Sequence, residues 1–341
     1  MDFMKLTPSE IKDLAKPTKE YEELLSIWPP MKVDWSNRDE ALGRLRLLTE
    51  MAEEQDEKDA AVSEETLTVA ARDGYENDLL VFRSARSSTP GPLIVLYHGG
   101  GCILGGPIMV ADMARWLVKK YNAVVAAPAY RLAPEHVFPT PGNDAWDTFS
   151  WIAKNATTTL KSDPSKGFIL GGVSAGATMA IVIAHLARDN NIEPKITGVY
   201  SACGSIRPRD INDIDPKYRD RYLSRDQKEC IYNPVLSKEM SDLMSACYQA
   251  DTKSKLYAPL MWPDGEGHKG FPRIYQQVCG RDPCRDEIFI FEDILKGLGT
   301  ETKTDLYVGL PHCFWIGLRY LPEGKRWERD TVDGVGWLLR P

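Results

Sequence analysis

The chain has 341 residues, 43% of them hydrophobic and 27% charged, with a formal net charge of -7. That is enough apolar material for a sizeable core, which excludes a disordered or fibrous chain. The acidic balance argues against nucleic acid or an anionic membrane as partner, since either calls for a basic surface, and leaves a small molecule as the expected one.

The opening stretch, MDFMKLTPSEIKDLAKPTKEYEELLS, reads as polar amphipathic helix with neither the basic nor the apolar region of a secretory signal. No apolar run is long enough to span a bilayer. Seven cysteines, an odd number without an export signal, read as reduced thiols. A cytoplasmic location is therefore expected, with the chain as a monomer or homodimer.

Residues 1–60 are charged and helix-like, broken at Trp28-Pro29-Pro30, and too thin in apolar residues to fold alone. From about residue 64 short β-rich runs follow one another: ETLTVAARDG, DLLVFRS, PLIVLYHGG, AVVAAPAYRL, GFILGGVSAG, ITGVYSACG, FPRIYQQVCG and TKTDLYVGLP. Between several of them lie segments with apolar residues at three- and four-residue spacing, such as MVADMARWLVKKY, DAWDTFSWIAKN, GATMAIVIAHLARDN and DEIFIFEDILKGLG. Nearly continuous apolar strands alternating with amphipathic helices predict an α/β architecture, a mostly parallel sheet of about eight strands covered on both faces. Residues 205–260 interrupt the alternation, highly charged at first and helix-like around Lys238 to Ala250. They are expected to join residues 1–60 as a helical cap over the sheet's C-terminal edge, leaving 61–204 and 261–341 as the α/β core. The plainer alternative is a surface excursion without a role.

The sharpest local signal is Gly171-Gly172-Val173-Ser174-Ala175-Gly176, between the strand GFIL and a helical run. Gly172 and Gly176 permit a cramped strand-to-helix turn that lifts the Ser174 hydroxyl above the sheet as a nucleophile. His98-Gly99-Gly100-Gly101 follows the strand PLIVLY, and bare glycine backbone there can bring N–H donors to a developing oxyanion. Gly100, Gly101 and Ala175 are the expected donors, with His98 and Gly99 shaping the loop.

A serine nucleophile needs a histidine base and a carboxylate to fix its tautomer. Of five histidines, His98 belongs to the glycine loop, His185 falls inside a helix, and His268 sits in the polar loop DGEGHKG, structural or solvated. His136 lies upstream of the serine, so His312, in the turn GLPHCFW after the last strand, is the candidate base. The strand before it ends in QQVCGRDPCRDE, which offers Asp282 and Asp286. Asp282, immediately past the strand, is the favoured acid, and Asp286 is expected to begin the next helix. Its charge would complement the dipole there.

Together HGGG, YRLAPEH at Tyr130 to His136, GGVSAG, DPCRDE and PHCF resemble the hormone-sensitive-lipase-like carboxylesterases, from about residue 64 to the C-terminus. The resemblance implies an α/β-hydrolase fold, a helical cap, ester hydrolysis without a cofactor, the triad Ser174, Asp282 and His312, and the oxyanion donors Gly100, Gly101 and Ala175. Cys284 and Cys313 stand where the family usually has Leu and Gly. Cys313 is expected either to narrow the site or to sensitise it to thiol reagents.

Cys279, Cys284 and Cys313 lack the paired spacing of a zinc site and read as core thiols, so no metal is expected. No nucleotide-phosphate motif is present. Trp28, Trp35, Trp262 and Trp315 could line an apolar pocket or pack in the core. The same triad on an amide, lactone or biosynthetic acyl intermediate is the near alternative, and a non-catalytic ligand-binding receptor on this fold the distant one.

Overall fold

Uninterrupted apolar runs decide the centre of the sheet, because a strand buried on both faces has no position left for a polar side chain. In the computed structural model, which describes residues 2–27, 33–263, 267–319 and 321–340, eight strands form one sheet: β1 Val62–Ala70, β2 Glu76–Ser84, β3 Leu93–Tyr97, β4 Val124–Pro128, β5 Phe168–Val173, β6 Gly198–Ala202, β7 Arg273–Arg281 and β8 Thr302–Pro311. Their order is β1-β2-β4-β3-β5-β6-β7-β8. β1 and β2 pair antiparallel with each other, and β2 with β4, at one edge. From β4 to β8 every pairing is parallel. The eight predicted strand runs all fall on these strands.

Period-two alternation splits the core between the two faces. Along β3, Leu93, Val95 and Tyr97 join one cluster, and Ile94 and Leu96 the other. The helices are α1 Pro8–Asp13, α2 Lys19–Ile27, α3 Arg38–Glu54, α4 Ala111–Tyr121, α5 Thr140–Lys154, α6 Ala175–Asp189, α7 Pro216–Arg219, α8 Lys228–Ile231, α9 Lys238–Tyr248, α10 Arg285–Gly297, α11 Trp315–Leu318 and α12 Pro322–Leu338. α6 is apolar around most of its circumference, ATMAIVIAHLA, because it is wedged between the sheet and α5. No helix was anticipated at α12, whose polar sequence with Gly334 and Gly336 masks it. A Cβ on Gly334 would overlap the Tyr275 ring, so the glycine is there to let the helix lie flat on β7.

The segments at 1–60 and 205–260 supply no long strand of the sheet except the approach to β1, and they touch each other. Arg221 donates to Met4 O at 3.1 Å and Gln227 to Lys12 O at 2.9 Å. The predicted break at Trp28-Pro29-Pro30 lies outside the described residues. Among the described residues, no helix is long and apolar enough to cross a membrane.

Candidate active site

Each singled-out element sits just past the C-terminal end of a parallel strand: His98 after β3, Ser174 after β5, Asp282 after β7 and His312 after β8. Side chains distant in sequence are thereby gathered at one rim of the sheet, where such folds place their ligands.

Ser174 has φ 53° and ψ -118°, outside the regions a side chain prefers, a cost of about 1–3 kcal/mol that the surrounding packing must hold. Crowding explains the flanking glycines, since a Cβ on Gly176 would overlap the carbonyl oxygens of Tyr97 and His98, and one on Gly172 would meet Gly176. The glycine loop lies directly against this turn: a Cβ on Gly99 would stand 3.4 Å from the Ser174 Cβ. Gly100 and Gly101 take φ of 108° and 62°, a left-handed excursion that turns the loop back beside the serine. Among the described residues, the amides of Gly100, Gly101 and Ala175 donate to no protein acceptor. Ala175 opens α6, so its N–H is one of the orphan donors of a helix start.

His312 Nε2 is 2.8 Å from Ser174 Oγ, and its Nδ1 is 2.7 Å from Asp282 Oδ2. Asp282 is fully buried, and its other oxygen accepts from the Cys284 amide at 2.8 Å. Burial disfavours charge on both partners, but the facing charge and shared hydrogen bond outweigh it. They raise His312 above the ordinary imidazole value and hold Asp282 below the ordinary carboxylate value.

The remaining histidines are occupied elsewhere. His98 stacks on Tyr130 with ring centroids 4.1 Å apart and donates from Nδ1 to Gly99 O at 2.8 Å. Burial pushes its pKa down to about 4, so a neutral ring orders the loop. His185 and His268 bond to each other at 2.8 Å, both buried, so His268 is structural and not solvated. His136 faces Tyr75.

Asp286 does begin α10, but it does more than complement a dipole. Its Oδ2 accepts from the amides of Leu223 and Ser224, each at 2.7 Å, and Oδ1 from Arg285 Nε at 2.6 Å. Glu287 Oε1 accepts from Ile206 N and Arg225 Nη2, and Oε2 from Tyr222 Oη and Arg225 Nε. The Arg-Asp-Glu run thus clamps the segment after β6 onto the strand end that carries Asp282. Sequence reasoning missed this role because the partners lie more than 55 residues upstream of the run; three consecutive charges at the start of a predicted amphipathic helix were the available signal.

A cavity of about 310 Å³ opens on Ser174 and His312. Its apolar wall includes Met179 and Val182 from α6, Leu236, Met244 and Tyr248. Of the tryptophans, Trp35 packs half-buried against one core cluster, Trp262 is buried and stacks on His185, and Trp315 stacks on Trp327 in the cluster on the other face. Trp28 lies outside the described residues.

All seven cysteines are buried free thiols. Cys102 and Cys284 line the cavity, whereas Cys313 packs behind it, so it does not narrow the site. Cys203 and Cys279 Sγ atoms are 3.4 Å apart, although the two residues are 76 positions apart in the chain. Cys203 with His312 and Cys313, Cys203 with Cys279 and Asp282, and Asp282 with Cys284 and His312 each bring ligand atoms within 4.8 Å of one another. A cation held in any of these groups would have to engage the imidazole or carboxylate already bonded to each other.

Parallel strands that deliver a serine, an aspartate, a histidine and a glycine loop to one rim define the class, a hydrolase of α/β-hydrolase architecture. The model of the alpha/beta hydrolase fold family matches residues 94–316, and the chain belongs to that family, within its carboxylesterase-like branch. An AB hydrolase superfamily protein of Schizosaccharomyces pombe is 35% identical over 99% of this chain and 95% of its own length. A versiconal hemiacetal acetate esterase of Dothistroma septosporum is 30% identical, covering 73% of this chain and 74% of its own. Among solved structures, vibralactone cyclase superposes with a TM-score of 0.84 at 24% identity, over 96% of both chains, a likeness of fold.

Proposed function

We propose that the chain cleaves small carboxylic esters through an acyl-enzyme on Ser174. The observation that carries this reading is the unbroken hydrogen-bonded line from Asp282 through His312 to Ser174, 2.7 and 2.8 Å per link. His312 Nε2 takes the hydroxyl proton as Oγ attacks the ester carbonyl, and Asp282 stabilises the imidazolium that forms. The tetrahedral oxyanion is met by the N–H groups of Gly100, Gly101 and Ala175, each worth on the order of 3 kcal/mol of barrier. Collapse expels the alcohol, which receives the proton from His312. A water then enters, loses its proton to His312, and attacks the acyl-enzyme, which releases the acid and restores Ser174.

In this reading residues 1–60 and 205–260 act as the cap, which supplies Leu236, Met244 and Tyr248 to the cavity and sets which acyl group fits. The Dothistroma relative is named for an acetate ester, which supports a short acyl chain. An amide, a lactone or a biosynthetic acyl intermediate would use the same groups. Replacing Ser174 by alanine should abolish turnover of 4-nitrophenyl esters and labelling by a fluorophosphonate probe. Undiminished turnover in Ser174→Ala would remove the assignment, and tight ligand binding without labelling of the native serine would favour a receptor.

A further inference from the structure

The polar end of the cavity holds a charge that the reaction does not use. Arg207 lines the same cavity as Ser174 and His312. Its Nε donates to Ser205 Oγ at 3.1 Å and its Nη1 to Tyr257 Oη at 2.9 Å, and its guanidinium lies 5.4 Å from the Tyr257 ring centroid. Neutral hydroxyls and a ring face orient a guanidinium but do not neutralise it. The neighbouring Glu287 carboxylate has both oxygens bonded to Arg225, which also donates to Ser205 Oγ at 2.9 Å. Two guanidinium groups therefore converge on the Ser205 hydroxyl, and of the two only Arg225 holds a carboxylate. Asp242, which also lines the cavity, is paired with Lys238 at 2.6 Å. Among the described residues Arg207 has no carboxylate partner. A half-buried cation facing a cavity, with fork donors to spare, is complementary to a carboxylate or similar anion.

The distance from the reacting centre can be read along α6. Thr178 donates to Ser205 O at 3.0 Å and accepts from Ser205 N at 2.9 Å, which docks the loop bearing Arg207 beside it. Thr178 is four residues past Ser174, about one helical turn or ~6 Å along the axis. We infer that the preferred substrates are esters carrying an anionic group a few bonds from the scissile carbonyl, with Arg207 as the residue that selects them. The inference rests on the Ser174 esterase reading and deepens it by naming a substrate class.

The test compares mono-4-nitrophenyl adipate with 4-nitrophenyl hexanoate, equal in acyl length and different in terminal charge, on the native protein, Arg207→Met and Arg207→Lys. The native protein should favour the adipate half-ester, and Arg207→Met should cut the adipate-to-hexanoate ratio of kcat/KM by about 10- to 100-fold, mainly through KM for the adipate. Arg207→Lys should restore part of the ratio, and free adipate should inhibit the native protein competitively. The ratio does not depend on how much enzyme is folded, so a destabilised variant still reports. Hydrolysis of the hexanoate with a ratio that Arg207→Met leaves unmoved would overturn the inference alone. Absence of turnover of both esters, with no labelling of Ser174, would instead remove the esterase reading beneath it.

Discussion

Exchanging Asp282 for asparagine tests the proposed relay at its least accessible link. The carboxylate is fully buried, with Oδ2 on His312 Nδ1 at 2.7 Å and Oδ1 on the Cys284 amide at 2.8 Å. In Asp282→Asn the amide oxygen must stay on the Cys284 N–H, since an NH2 group there would set donor against donor. The NH2 group then faces His312 Nδ1, which can only accept from it, so the neutral ring carries its proton on Nε2. Nε2 is the atom 2.8 Å from Ser174 Oγ, and once protonated it can no longer take the hydroxyl proton. Loss of the correct tautomer costs about 10⁴-fold in kcat, or ~5.4 kcal/mol of barrier. Steady-state hydrolysis of a 4-nitrophenyl ester measures it, with circular dichroism to verify the fold. A fall of less than about tenfold would refute the argument, because the required tautomer would then not depend on this carboxylate.

Two further outcomes follow from the same geometry. In the proposed mechanism His312 must be neutral to accept the serine proton; burial lowers its pKa, but the Asp282 charge and hydrogen bond overcome this and raise it above 6.5. Activity should therefore rise with pH through a midpoint above the ordinary imidazole value, not at or below it, and a pH profile of kcat/KM decides. Truncating Glu287 to alanine would leave Arg225 without its carboxylate and should cost about 3–5 kcal/mol of stability, read as a lowered urea midpoint at unchanged slope. A midpoint equal to that of the native protein would mean the clamp carries no weight.

The contrast between Asp282 and Asp286 shows what kind of information each level holds. Both lie in one six-residue motif at a strand end, and the position immediately past the strand already favoured Asp282. Only tertiary structure could reveal that Asp286 and Glu287 hold the segment after β6, because their partners at 206 and 222–225 lie in sequence with no periodicity to read. The same holds for Trp35, Trp262 and Trp315, which the fold uses for packing, and for the C-terminal helix hidden behind its polar, glycine-bearing sequence.

By itself the sequence determined the sheet, the glycine turns and the residues at the strand ends. Those depend on local rules: which side chains tolerate burial on both faces, and which backbone can turn in a crowded space. Tertiary structure decided which charges cancel. Glu287 neutralises Arg225 and leaves Arg207 facing the cavity, and a pairing between residues 62 positions apart is set by how loops dock on a finished core.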